Sequence, residues 1–211
     1  MINATILNIA DFIGIASFAL SGFYVATKDR LDLLGIFIAS FLTALGGGVV
    51  RDIIVSRDII VSKVPFIFVD LYPILIVVIV LFFAIFLKLH KKDSIKNSKY
   101  LVLCDSIGLI SFSISGALVG VSSGFNFFGV SLLAVITAVG GGVMRDMLLN
   151  KIPMLLVSEL YGTIALFIGG IVFVLNHYEN INLFSISSVF VFGLIFRLLA
   201  YNKKWHLPHL D

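Results

Sequence analysis

The sequence predicts an all-α integral membrane protein of seven transmembrane helices, arranged as two inverted three-helix repeats with a seventh helix added. Three observations predict it. Of the 211 residues, 60% are hydrophobic and only 13% are charged, whereas a soluble domain is roughly half apolar and about a quarter charged. The apolar residues fall into seven runs near the length of about 20 residues that a hydrocarbon core of roughly 30 Å requires. Finally, the chain repeats itself in register.

The seven runs are 6–26, 33–55, 65–89, 100–120, 126–149, 153–175 and 184–202. The first carries Asp11 and lacks a positive leading segment, so it reads as a retained span and not a cleaved signal. Polar stretches separate the runs: TKDRLD at 27–32, SRDIIVSK at 56–63, HKKDSIKNSK at 90–99, SSGFN at 122–126, NKIP at 150–153 and NHYENIN at 176–182.

The repeat is carried by two matches. DFIGIASFALSG at 11–22 pairs with DSIGLISFSISG at 105–116, identical at seven of twelve positions, and residues 35–52 pair with 129–146 at nine of eighteen. Both share an offset of 94, so one duplication explains them. Each copy holds three spans, an odd number, and the second copy must therefore enter the membrane from the opposite face. The expected organisation is a first repeat at 1–89, a linker at 90–99, a second repeat at 100–175, and a seventh helix with its tail at 176–211.

Orientation follows from Lys and Arg. Lys28, Arg30, Lys88, Lys91, Lys92, Lys96, Lys99, Lys151, Arg197, Lys203 and Lys204 fall on the side of the C-terminus, against Arg57 and Lys63 opposite. The positive-inside rule places the C-terminus in the cytoplasm and the N-terminus outside a bacterial inner membrane.

After Asp52 the offset changes. Residues 51–56, RDIIVS, recur at 57–62, and the offset falls from 94 at the glycines to 88 between Pro65 and Pro153. A six-residue tandem insertion accounts for this, and it makes Arg51 the equivalent of Arg145 with Arg57 a loop residue.

The candidate site lies where polarity interrupts the spans. Gly46, Gly47, Gly48 and Gly140, Gly141, Gly142 sit well inside theirs, roughly 20 Å along at helical rise. Two readings stand: breaks whose freed carbonyls meet an ion, or close helix packing by small residues. Triplication, duplication and a following charge favour breaks. Arg51 and Arg145 are costly in lipid, on the order of 3 kcal/mol each. They predict ion pairs across helices to Asp11 or Asp105, because the neighbouring Asp52 and Asp146 point about 100° away. Snorkelling to an interface is the competing reading.

Asp11 and Asp105 open matched spans. Behind them Ser17 and Ser21, and Ser111 and Ser115, form stripes with Gly14 and Gly108, to be read either as pore lining or as a tight contact. Thr43 and Thr137 precede the glycines and would add hydroxyls to an ion path. Asp70 and Glu159, each two residues before a tyrosine, read as interface anchors or gate residues.

Other classes find little support. The single Cys104 excludes an internal disulfide, and the four histidines show no metal-ligand spacing. The glycine motif is neither a phosphate loop nor a dinucleotide fingerprint, no catalytic set lies in the spans, and the lysines do not form a nucleic-acid-binding face. No enzyme, cofactor, metal or nucleic-acid partner is expected; the partners are the lipid bilayer and further copies of the chain.

Two copies of Gly-Gly-Gly-x-x-Arg-Asp, in inverted three-span repeats with a seventh helix, resemble the bacterial branch of the trimeric intracellular cation channel family over nearly the whole chain. A closely related bacterial family of small membrane proteins, named for glycine transport, shares the signature. The channel resemblance implies a homotrimer with a pore in each protomer, permeable to potassium and to some extent sodium, constricted at helices two and five. Animal members carry a lysine-glutamate-valine motif that binds phosphoinositide, where this chain has Val-Val-Arg-Asp and Val-Met-Arg-Asp. The alternative expectation is a secondary transporter of a small zwitterion such as glycine.

Overall fold

The structure is a computed structural model that describes residues 4–56, 64–89, 98–158 and 160–205. The tandem copy at 57–62 with Arg57, most of the 90–99 linker and Glu159 lie outside the described residues. Eight α-helices are present among those described, one more than the seven predicted: α1 (Ala4–Lys28), α2 (Leu33–Val55), α3 (Tyr72–Phe86), α4 (Ser98–Ser122), α5 (Phe127–Leu148), α6 (Met154–Val157), α7 (Tyr161–His177) and α8 (Leu183–Lys203).

The extra helix has a local cause. Pro153 and Pro65 cannot continue a helix, so each starts a separate turn: the single turn α6 in the second half and a 3₁₀ turn, Phe66–Phe68, in the first. The helices proper begin later, which leaves α3 and α7 at 15 and 17 residues, while α1, α2, α4, α5 and α8 are long and apolar enough to cross a membrane.

The duplication reappears in the caps. Asp32 accepts from Gly35 N at 2.7 Å to start α2, and Asn126 accepts from Gly129 N at 2.8 Å to start α5. Both acceptors satisfy amides that a helix start leaves without partners.

Helix α1 packs against α4, and α2 against α5. Along the first pair Asp11 meets Ser115, Gly14 faces Phe112, Phe18 faces Gly108 and Ser21 meets Asp105. Numbers rise on one helix as they fall on the other, so the two run antiparallel, and every contact has its counterpart 94 residues on. Such reciprocity is the signature of a two-fold relation. The Phe18 and Phe112 rings meet at its centre, 5.3 Å apart, each seated on the other helix's glycine. Gly22 does the same for Ser40 and Thr43, and Gly116 for Thr137. Close packing of this kind, more than apolar burial, joins helices in lipid.

Large apolar side chains such as Phe12, Phe82, Phe86, Phe128, Phe167 and Phe184 point outward, as suits a chain solvated by lipid tails. At one end Lys151 Nζ pairs with Asp29 at 2.5 Å, so the loops at 27–32 and 150–153 share a side, as the even number of spans between them predicts.

Candidate functional site

Two charge centres lie inside the bundle, related by the same two-fold. In the first, Arg51 of α2 is only 4% exposed. Its Nη1 donates to Asp11 Oδ1 of α1 at 3.1 Å and to Ser115 Oγ of α4 at 2.6 Å, and Ser115 donates in turn to Asp11 at 2.5 Å. Arg51 Nε donates to Asp52 Oδ1 at 2.9 Å, and the other oxygen of Asp52 accepts from Phe66 N at 3.0 Å. The Phe66 ring lies under the guanidinium, 5.5 Å from its carbon.

The second centre has the same plan with looser links. Arg145 of α5, 1% exposed, sets Nε and Nη2 each 2.8 Å from Asp146 Oδ1. Asp146 Oδ2 accepts from Met154 N at 3.0 Å. Ser21 donates to Asp105 Oδ1 at 3.2 Å, and Arg145 Nη1 reaches Ser21 at 3.5 Å. No ion pair within 4.0 Å joins Arg145 to Asp105 among the described residues.

These bonds settle the snorkelling question: both arginines are buried and paired. They also correct the expected geometry. The adjacent aspartates do pair with their arginines, because a long stem and a forked guanidinium span the roughly 100° between neighbours. The cross-helix partner exists for Arg51, in Asp11; for Arg145 it is a serine.

Phe66 and Met154 hold equivalent places, 14 and 8 residues after Asp52 and Asp146. The six extra residues of the first half are therefore absorbed between Asp52 and Phe66, where the sequence puts the tandem insertion.

The glycine triplets are not breaks. Helix α2 runs unbroken through Gly46–Gly48 and α5 through Gly140–Gly142. Without competing water, backbone hydrogen bonds survive at glycine, which membrane helices carry often. The triplets are instead where α2 and α5 cross with backbones touching. A Cβ on Gly47 would strike the carbonyl oxygen of Thr137, and one on Gly141 that of Thr43. Gly46 faces Gly141 and Met144, Gly140 faces Gly47, Gly48 faces Phe66, and Gly142 has open space beside Arg145 Nη2 at 4.0 Å.

Thr43 donates to Ala39 O at 2.6 Å and Thr137 to Leu133 O at 2.7 Å, so each hydroxyl proton is held by its own helix and each oxygen keeps its accepting lone pairs. Of the serine stripes, Ser21 and Ser115 belong to the charge centres. Ser17 is half-buried, and Ser111 borders an apolar groove among α1, α4 and α8.

A cavity of about 500 Å³ with a mixed lining opens beside the first centre, its polar side formed by Asp52, Ser56, Asp70, Ser122 and Ser123 and the rest by Phe66 and valines. Asp70, read from sequence as an anchor or gate residue, is exposed at its rim.

Sequence reasoning missed two members of the site. Arg197, counted above as a tail-side charge, is 1% exposed on α8. It donates to Ser158 Oγ at 2.7 Å and lies 5.0 Å from the Tyr161 ring centroid. Tyr161, read as following an interface anchor, is buried beside Asp105. The available signal for Arg197 was an arginine flanked by apolar residues on both sides, LIFRLLA.

The comparisons fit this geometry. A family model described as "Glycine transporter" matches residues 8–88 and again 102–177, one match on each half. The chain is 34% identical to the UPF0126 inner membrane protein YadS of Escherichia coli, covering 93% of this chain and 91% of that protein. It superposes on the crystal structure of a prokaryotic TRIC channel in 0.5 M KCl with a TM-score of 0.84 at 30% identity, over 97% of this chain and 100% of that one. The TRIC trimeric intracellular cation channel orthologue from Rhodobacter sphaeroides gives a TM-score of 0.83 at 25% identity, over 95% and 99%.

Proposed function

We propose, from the premise that this chain belongs to the bacterial branch of the trimeric intracellular cation channel family, that it is a cation-permeable channel with its conduction path inside each protomer. The observation that carries this reading is the end-to-end likeness to solved cation channels.

The residues supply a physical basis. The first centre sets two carboxylates, Asp11 and Asp52, against one guanidinium, and Asp70 adds a further negative charge at the rim of the adjoining cavity. Such a cavity gathers cations. Beyond it the path meets the α2–α5 crossing at Gly46–Gly48 and Gly140–Gly142, which serves as the constriction. Conduction requires the two backbones to part there, exposing the carbonyls of Thr43 and Thr137 to replace part of an ion's water. Arg51, Asp52, Arg145, Asp146, Asp11 and Asp105 hold the crossing helices and act as gating charge pairs, with Ser21 and Ser115 linking them.

The finer reading has seven membrane crossings, α6 being too short to count, in two inverted repeats at 1–89 and 100–175, a linker at 90–99, and α8 with its tail at 176–211. The N-terminus lies outside and the C-terminus in the cytoplasm; losing Arg197 from the charge count leaves the imbalance strong. The assembly is a homotrimer in a bacterial inner membrane, and potassium is the principal permeant ion. Purified protein in proteoliposomes loaded with a potassium-sensitive dye tests the reading: an imposed potassium gradient should collapse in seconds through wild type. Flux no faster than in protein-free vesicles would refute it.

A further inference from the structure

We propose that Arg197, on the helix left over from the duplication, is a positioning residue of the second charge centre. Acting across Tyr161, it adds to the compensating charge that Arg145 gives Asp105 without a direct ion pair.

The two-fold makes the difference visible. Asp11 has a guanidinium at 3.1 Å and a serine hydroxyl at 2.5 Å. Asp105, 2% exposed, accepts from Ser21 at 3.2 Å and has the Tyr161 side chain beside it, and its Oδ2 accepts no well-formed hydrogen bond among the described residues. Its expected partner is committed elsewhere, since Arg145 turns two nitrogens to Asp146. A buried carboxylate in that position needs a cation nearby, because uncompensated charge in a low-dielectric interior is among the costliest arrangements in a protein. Arg145 and, more weakly, Arg197 both favour the charged form of Asp105, and the Tyr161 side chain stands beside it.

Tyr161 is the bridge. Arg197 lies over its ring, 5.0 Å from the centroid, and anchors its other end on Ser158. In the first half the nearest counterpart, Tyr72, is 38% exposed, against 4% for Tyr161, which lies under Arg197. The seventh helix therefore adds a second arginine to one centre only. The first centre is closed by its own residues; the second depends on α8. On the channel reading, on which the functional consequence rests, the second centre is the half whose gating α8 controls.

The test is a charge-coupling cycle in full-length purified protein, with two readouts. Arg197→Met should lower Tm by several degrees in the wild-type background and much less in Asp105→Asn, where no buried charge is left to compensate. Equal losses in both backgrounds would overturn the inference. If Asp105→Asn does not fold, Tyr161→Phe takes its place, with the same non-additivity expected and additivity contradicting the proposal. In bilayer recordings, Arg197→Met and Tyr161→Phe should each shift open probability several-fold, the double variant no further, and Arg197→Lys should recover part of the change. Unchanged open probability in a conducting Arg197→Met would also overturn it. A wild type without unitary currents would instead refute the channel reading, and the Tm cycle would still decide the coupling.

Discussion

The carbonyl oxygen of Thr137 on α5 occupies the space that a side chain on Gly47 of α2 would need, and Thr43 on α2 stands in the same relation to Gly141 on α5. Two helices can approach this closely only where neither carries a Cβ. The crossing is fixed by side chains absent from less than one turn of each helix, and the two-fold makes it reciprocal.

Gly47→Ala and Gly141→Ala should therefore each cost about 1–3 kcal/mol, as overpacking does, and by about the same amount. Gly142→Ala is the internal control. Its Cβ would meet only Arg145 Nη2 at 4.0 Å, so relief of glycine's helix penalty should make it neutral or stabilising by up to about 1 kcal/mol. Thermal melts of the detergent-purified variants check this; a Gly142→Ala as damaging as Gly47→Ala would show that the triplets matter for some reason other than closeness.

The two charge centres should respond unequally to matched substitutions. Asp11→Asn leaves Arg51 without its cross-helix counterion and should cost roughly 3 kcal/mol or more. Ser115→Ala removes two short bonds, at 2.5 and 2.6 Å, and should cost about 1–3 kcal/mol. Ser21→Ala removes bonds of 3.2 and 3.5 Å and should cost less. Chemical denaturation of the three variants ranks them, and a Ser21→Ala more damaging than Ser115→Ala would contradict the ordering.

Deleting Arg57 through Ser62 should leave the protein folded and active. Asp146 reaches Met154 N across 8 residues with a bond of 3.0 Å, the length of the Asp52 to Phe66 bond across 14. The shorter connection is therefore sufficient for that contact. A melting temperature within a few degrees of wild type, with potassium flux retained, is the expected result; loss of either would give the tandem copy a role of its own.

What the sequence made legible depends on what it encodes linearly. Apolar run length located the helices, and the offset of 94 marked Asp11 and Asp105, Ser21 and Ser115, and Arg51 and Arg145 as equivalent pairs, which the structure places in two reciprocal centres. The fall of the offset to 88 foretold the equivalence of Phe66 and Met154. What failed depends on three-dimensional context. The glycine triplets stay helical because lipid offers their backbone no alternative partner. Arg51 reaches Asp52 through side-chain length, which angular spacing along a helix does not capture. Arg197 looked like a cytoplasmic charge because it lies six residues before Lys203, yet α8 turns it onto Tyr161. The prolines made the helices of the third and sixth spans start later than hydropathy suggested, since an apolar run registers burial in lipid and is blind to whether its backbone is helical.

The most direct test of the central claim is a planar-bilayer recording of the purified protein in asymmetric potassium chloride, with Gly47→Leu beside wild type. Wild type should give discrete unitary currents that reverse near the potassium equilibrium potential, and Gly47→Leu, which wedges a side chain into the α2–α5 crossing, should abolish them. Absence of unitary currents from a well-folded wild type that takes up glycine into vesicles would contradict the account and point to a carrier.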